Sequence, residues 1–123
     1  QEAIFWYTQA AEQGYLDAQF NLGMLLFSNE AVRDLAQSID WLRLAAEQGD
    51  IEAQYNLGYV YANADEAYHD FVKAYIWFSI AAEQGYSDAI DWLEILQDNM
   101  SSAEVKIAED ASVNCVLQSL LNC

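Results

Sequence analysis

The residues best suited to acid–base or metal chemistry lie in one short stretch of the sequence. The only histidine, His69, lies four residues after Asp65, beside Asp70 and close to Glu66. Imidazole and carboxylate groups at such spacing can bind a metal or exchange protons. Acidic residues occur throughout this chain, however, and a single histidine is too few for such a site. We therefore interpret the stretch as a solvated linker and predict no metal and no cofactor.

No other pattern of nucleophiles, acids and bases indicates catalysis. The sequence has no glycine-rich phosphate loop, no Gly-x-Ser-x-Gly, no His-Glu-x-x-His and no Cys-x-x-Cys. Cys115 and Cys123 are eight residues apart. On a continuous helix this is about 12 Å of rise, beyond the ~7 Å Cα separation that a disulfide spans, so a bond would require the helix to break. We expect free thiols, a slight indication of an intracellular protein, and no enzymatic activity.

The composition is that of an acidic, folded, helical domain. The chain of 123 residues has 20 Asp and Glu against 4 Lys and Arg, a formal charge of −16, yet 54% of its residues are hydrophobic. That apolar content excludes a disordered acidic chain, and the few cations exclude nucleic acid and anionic membranes as partners. The absence of proline favours helices. No apolar run reaches the roughly 18 residues of a membrane span, so we expect a soluble protein, cytoplasmic, or periplasmic or secreted if a signal peptide was removed.

An internal repeat organises most of the sequence. Three segments read Trp-x-x-x-Ala-Ala-Glu-Gln-Gly, and their starts at positions 6, 41 and 77 are 35 and 36 residues apart (41 − 6 and 77 − 41). This period is typical of two-helix solenoid repeats, and the apolar residues recur with helical spacing. We interpret the tryptophans as core residues because their placement is the same in each repeat. Each pattern ends in a glycine that can close a helix in the left-handed conformation: Gly14, Gly49 and Gly85.

The periodicity predicts seven helices, paired as three hairpins of a helix A and a helix B, and a final capping helix. A capping box of Ser101 and Glu104 starts the last helix. Gly23 and Gly58 lie inside B helices, where close packing against helix A of the repeat explains a residue that costs about 1 kcal/mol relative to alanine. The single domain, residues 1–123, divides into repeats at about 1–34, 35–70 and 71–99 and a C-terminal helix at 100–123. The predicted helices are Glu2–Gln13, Leu16–Phe27, Leu35–Gln48, Ile51–Ala62, Phe71–Gln84, Ser87–Asn99 and one from Ser102 onward.

The string Trp-x-x-x-Ala-Ala-Glu-Gln-Gly-x-x-x-Ala-Gln-x-x-Leu-Gly-x-x-Tyr, read from Trp41 to Tyr61, closely resembles the Sel-1-like repeat, a relative of the tetratricopeptide repeat. The resemblance covers roughly Ala3 to Leu96 and implies an all-α fold, an α/α solenoid that forms a right-handed superhelix. It also implies an adaptor or scaffold in protein complexes, in bacteria at host or envelope interfaces, with no shared enzymatic activity. Some secreted members bridge each hairpin with two cysteines at this same spacing, at positions that match Ala11 and Gln19 here.

The candidate site is the concave face that such solenoids present. The positions one before and three after each tryptophan point away from the hairpin's own core and are usually polar in the family that the sequence resembles. Here several are apolar, and a glutamate follows each tryptophan by six residues. An equally weighted alternative is that some of these side chains contact the neighbouring repeat or are simply exposed. The candidate residues are Phe5, Gln9, Glu12, Asp40, Leu44, Glu47, Ile76, Ile80 and Glu83.

We predict a non-catalytic protein–protein interaction module that binds a protein or peptide segment in this groove. Apolar anchors on the partner would provide affinity, and its positive charge would match the acidic surround. One alternative is a homo-oligomer that associates through the terminal faces of the array. Another is a hydrolase of the β-lactam-binding type, as in a few disulfide-rich relatives. Adaptation to high salt would also explain the acidic composition.

Overall fold

The fold is a stack of antiparallel helical hairpins. A computed structural model describes residues 2–64, 69–120 and 123. Within these ranges it contains seven helices and no strand, and the predicted all-α solenoid of three hairpins and one further helix is confirmed. The six hairpin helices end within one residue of their predicted limits. The seven helices are α1 (Glu2–Glu12), α2 (Leu16–Ser28), α3 (Leu35–Glu47), α4 (Ile51–Asn63), α5 (Phe71–Glu83), α6 (Ser87–Asn99) and α7 (Ser102–Leu117).

Short polar side chains explain where several helices begin. Asp34, Asp50 and Asp70 precede α3, α4 and α5, and each carboxylate accepts a hydrogen bond from a backbone N–H in the first turn. Ser101 and Glu104 form the predicted capping box of α7. The glycines after α1, α3 and α5 have the predicted positive φ, of 91°, 96° and 93°. The chain therefore reverses direction in each hairpin without proline.

The tightest contacts in the core join helix B of one repeat to helix A of the next. Gly23 in α2 faces Leu42 in α3, and a Cβ added to Gly23 would lie 2.7 Å from Leu42 Cγ. Gly58 in α4 has the same relation to Phe78 in α5, whose ring would lie 3.0 Å from an added Cβ. A close approach to a helix A is observed at both glycines, but it was predicted within one repeat, and the helix that approaches is helix A of the following repeat.

The three repeat tryptophans lie in different environments. Trp77 is fully buried, Trp41 is partly buried against the core cluster of the first hairpin, and Trp6 is 64% exposed. The prediction that all three belong to the core is therefore wrong for Trp6. Trp41 is covered by the hairpin that precedes it, whereas Trp6 lies on the first helix that the structure describes.

The last helix does not continue the stacking of hairpins. α7 packs mainly against α5, and it buries Ala108 and Cys115 there. Tyr75 of α5 connects the last three helices, since its hydroxyl lies 3.5 Å from Glu109 Oε2 in α7 and accepts a hydrogen bond of 3.0 Å from Gln97 Nε2 in α6. α7 thus lies along helix A of the third hairpin.

A disulfide closes the turn that follows α7. The helix ends at Leu117, and Ser119 and Leu120 have positive φ values of 58° and 69°. The backbone doubles back, so that the Cα atoms of the bonded Cys115 and Cys123 are 5.4 Å apart. The expectation of free thiols is therefore wrong, because it assumed a continuous helix. The intracellular location inferred from free thiols loses its support.

The substitution Gly23→Ala should lower the free energy of unfolding by about 1–3 kcal/mol, because the added methyl group overpacks the contact with Leu42. The intrinsic helix preference of alanine, about 1 kcal/mol, acts in the opposite direction. Urea unfolding followed by circular dichroism measures the change. Asn21→Ala, at an exposed position of the same helix, is the matched control and should not destabilise. If both variants are equally stable, the contact between α2 and α3 is looser than the structure shows.

The substitution Cys123→Ser should lower the free energy of unfolding by about 2–3 kcal/mol, because a closed loop of this size restricts the unfolded chain. Dithiothreitol should destabilise the wild-type protein by a similar amount and leave the variant unchanged. Urea unfolding with and without the reductant measures both effects. A wild-type protein that does not respond to reductant would contradict the structural role of this bond.

Candidate functional site

α7 covers part of the face on which the candidate residues were predicted. Ile76 and Ile80 on α5 are only 5% and 4% exposed. Ile80 lines cavities together with Val113 and Val116 of α7. The expectation of an exposed apolar stripe is therefore wrong at Ile76 and Ile80. Ile80 is apolar because it lies where α7 packs on α5.

The other candidate residues are accessible but do not form one surface. Phe5 and Leu44 are 54% and 45% exposed. Ile80 and Glu83 line the same cavities, whereas Asp40 lies in a separate cleft. Of the remaining polar candidates, Glu47 is half-buried and the others are exposed: Gln9, Glu12, Asp40 and Glu83.

An apolar groove lies between α5 and α7. It consists of a cavity of about 220 Å³ and an adjoining one of about 290 Å³. Both are lined by Ile80, Glu83 and Val116, and the second extends to Gly49 and Gln54 of the second repeat. We call these two cavities the α5–α7 groove. The first cavity is completed by Ser79, Ser112, Val113 and Leu117.

The apolar side chains that line this groove from α7 are largely exposed. Val113, Val116 and Leu117 are 60%, 48% and 76% exposed. They are not among the predicted site residues, although the apolar residues of the last helix recur around most of its circumference, a pattern visible in the sequence. The contact with α5 needs only part of that pattern, since it buries Ala108 and Cys115. The additional apolar side chains remain open to a partner.

Negative charge borders the groove. Glu83 lines both cavities, and the structure shows one ion pair among the described residues, between Lys106 and Asp110 at 3.4 Å. The cations that the structure describes lie elsewhere and so leave the groove acidic. Arg33 lies over the ring of Phe27 and Lys73 over that of Tyr61, and Arg43 donates a hydrogen bond to the Tyr61 hydroxyl.

A second cleft of about 340 Å³ lies between α3 and the start of α5, lined in part by Asp40, His69 and Lys73. Tyr61 is buried in its wall, and its hydroxyl accepts a hydrogen bond of 2.6 Å from Arg43 Nη2. Burial raises the pKa of Tyr61, and the positive charge of Arg43 opposes this shift. The phenol therefore stays neutral at physiological pH and acts here as a hydrogen-bond acceptor.

The described side chains of this cleft do not assemble into a metal or acid–base site. The His69 ring is exposed and contacts the Phe71 ring, with centroids 4.1 Å apart. Asp65 and Glu66, which the sequence placed near His69, lie outside the described residues. Across the described ranges, no three His, Cys, Asp or Glu side chains are close enough to hold a metal ion.

The serines of the α5–α7 groove are not arranged as nucleophiles. Ser112 Oγ donates a hydrogen bond of 2.9 Å to the backbone carbonyl of Glu109. Within the described part of the chain, neither Ser112 nor Ser79 forms a hydrogen bond with a histidine or a carboxylate. What the groove offers is therefore apolar contact and negative charge. In the same ranges, no helix combines the length and the hydrophobicity that crossing a bilayer requires.

Comparisons with known proteins give relatives of the same architecture. A protective antigen of uropathogenic Escherichia coli strains, which displays an SLR fold, superposes with a TM-score of 0.82 at 29% identity, over 95% of this chain and 26% of that one. A Sel1 repeat protein from Oxalobacter formigenes superposes with a TM-score of 0.66 at 29% identity, over 83% of this chain and 41% of that one. The chain thus spans less than half the length of either protein. No curated protein matches the sequence.

The model of the Sel1 repeat matches residues 1–15, 16–50 and 51–86. Its boundaries fall at the starts of α2 and α4, so each full unit joins a helix B to the next helix A. These are the helix pairs in tightest contact, at Gly23 and Gly58. The match stops before α6, where Ile90 and Glu94 replace the glutamine and the glycine of the other repeats. Because the matched residues are more than half of the chain, the protein belongs to the Sel1 repeat family, whose members are helical repeat modules that generally mediate protein interactions.

Proposed function

We propose that this protein is a non-catalytic interaction module whose α5–α7 groove binds a protein or peptide segment carrying apolar and basic side chains. The observation that carries this proposal is the row of Val113, Val116 and Leu117 on α7, largely exposed beside Glu83 of α5. Exposed apolar side chains that surround a concave cavity are typical of surfaces that bind other proteins.

The apolar side chains supply the affinity in this proposal. Full burial of a Val or Leu side chain contributes roughly 1.5–3 kcal/mol relative to its exposed state. Leu117, at 76% exposure, has the most surface to lose. Ile80 is already buried and serves as the floor of the groove. A partner that inserts one or two apolar side chains between α5 and α7 would cover the open positions of α7 first.

The negative charge supplies selectivity and speed of association. Glu83 lines the groove, and the whole chain carries a formal charge of −16. Such a field accelerates the approach of a basic segment and disfavours an acidic one. Because salt screens this attraction, binding should weaken as ionic strength rises.

The disulfide supports an oxidising compartment as the place where this groove acts. Bonds of this kind persist outside the reducing cytosol. The bond between Cys115 and Cys123 spans the turn after α7. The bond fixes the end of the helix that forms one wall of the groove.

The double substitution Val116→Asp and Leu117→Asp should weaken binding of a basic, apolar peptide by tenfold or more, about 1.4 kcal/mol, because it puts charge where the partner's apolar side chains would lie. A random peptide library displayed on phage provides the ligands, and we expect the selected peptides to combine Lys or Arg with large apolar residues. Fluorescence anisotropy of one labelled peptide measures the affinity of each variant.

Ile107→Asp is the matched control. Ile107 lies on the same helix and is 59% exposed, but it does not line the groove. This variant should bind as the wild-type protein does, and circular dichroism verifies that both variants are folded. Equal loss in the control, or none in the double variant, would show that the partner binds elsewhere. Ile80 is unsuitable for this test because a charge at a buried position would disturb folding.

A further inference from the structure

Two cations lie at the cleft between α3 and the start of α5, although the whole chain has only 4 Lys and Arg. Arg43 Nη2 donates a hydrogen bond of 2.6 Å to the Tyr61 hydroxyl, and Lys73 Nζ lies 5.7 Å from the centre of the Tyr61 ring. Tyr61 is 4% exposed and forms part of the cleft wall. One buried phenol therefore contacts both cations beside the same cavity.

Neither cation is paired with a carboxylate among the residues that the structure describes. The one ion pair in those ranges joins Lys106 to Asp110, both on α7. Arg43 is half-buried, and its Nε atom is buried without a hydrogen-bond partner. Charged groups that are withdrawn from water are usually paired with an opposite charge. The guanidinium therefore adds positive charge behind the wall of the cleft that its contact with a neutral phenol does not cancel.

The Tyr61 hydroxyl is a hydrogen-bond donor that lacks a described acceptor. Its oxygen accepts the bond from Arg43, and no group in the described ranges accepts its proton. Because burial raises the pKa of Tyr61, the hydroxyl keeps this proton at physiological pH. The neighbouring guanidinium polarises the O–H bond and strengthens it as a donor. A carboxylate in the cleft would accept this hydrogen bond and gain from the charges of Arg43 and Lys73.

The cleft also carries negative charge. Asp70 and Asp40 both line it. Asp70 Oδ1 accepts a hydrogen bond of 3.0 Å from the backbone N–H of Lys73 and so caps α5. Asp40 is exposed, and no described residue forms a hydrogen bond or an ion pair with its carboxylate. Unpaired charges of both signs thus line one cleft, and a ligand with only negative charge would be repelled by Asp40.

We propose that this cleft binds a small zwitterion of the amino-acid or dipeptide class, with its carboxylate at Tyr61 and Lys73 and its ammonium group at Asp40. The cleft, of about 340 Å³, falls within the range of roughly 300–1,000 Å³ that is usual for small-molecule sites. Ile39 and Ala36 add apolar contact. Because a zwitterion has no net charge, the −16 of the whole chain does not repel it at long range. The site is separate from the α5–α7 groove.

Three probes of similar size test the proposal. Glycylglycine carries both charges, N-acetylglycine only the carboxylate and glycylglycinamide only the ammonium group. His69 lines the cleft and is the only histidine of the chain, so its ring Cε1 proton gives a single NMR signal from the site. At pH 7 and constant ionic strength, we expect glycylglycine to shift this signal saturably, with a Kd on the order of 1 mM. Each probe with one charge should bind about tenfold more weakly or worse.

Substitutions assign the two ends of the ligand. Lys73→Met and Tyr61→Phe should each weaken glycylglycine binding by about fivefold or more, because each removes a group that faces the carboxylate. Asp40→Asn should remove the preference for glycylglycine over N-acetylglycine. Lys106→Met is the matched control, since it changes the net charge as Lys73→Met does but lies on α7, away from this cleft. The control should bind as the wild-type protein does, and circular dichroism verifies that every variant is folded.

Three results would overturn the proposal. The first is a His69 signal that none of the probes shifts at concentrations well above the millimolar range. The second is equal affinity for glycylglycine and N-acetylglycine in the wild-type protein, since the ammonium group would then have no site. The third is an equal loss in Lys106→Met and Lys73→Met, which would show that the probes respond to the net charge of the chain and not to this cleft.

Discussion

The close approach of each helix B to the next helix A is the constraint on which the rest of the structure depends. Gly23 and Gly58 leave space for Leu42 and Phe78, and no larger residue fits without moving them. Gln48 donates a hydrogen bond to Gln19, and Gln84 donates one to Gln54, at the same junctions, because the helices are close enough for one side chain to reach the next. Packing and hydrogen bonding therefore specify the same neighbour, which explains why the stack has one register.

The third hairpin lacks the glycine that lets the next helix approach closely. Glu94 replaces the glycine, and the helix that follows does not insert beside α6 but lies along α5. Ala108 and Cys115 are buried where α7 packs on α5, and the bond between Cys115 and Cys123 fixes the turn at the end of α7. The groove results from this altered packing. One apolar face of α7 is covered by α5, and its other apolar side chains, Val113, Val116 and Leu117, stay exposed beside it.

The two ends of the stack consequently have different surfaces. At one end, α7 covers helix A of the last hairpin and offers a groove lined by Ile80 and Val116. At the other, the first helix presents aromatic side chains, with the rings of Phe5 and Trp6 5.0 Å apart.

The sequence by itself determined the helices and their pairing, because aspartate caps and positive-φ glycines act locally at the ends of helices. It also determined the family, because the spacing of Trp, Ala and Gly recurs in each repeat. Tertiary structure alone decided the rest. Ile76 and Ile80 are buried, and the cysteines are bonded, because α7 lies on α5 and then breaks. Trp6 and Trp77 occupy the same place in their repeats, yet one is exposed and the other buried. Burial depends on which helix lies opposite, and a repeated local pattern does not contain that information.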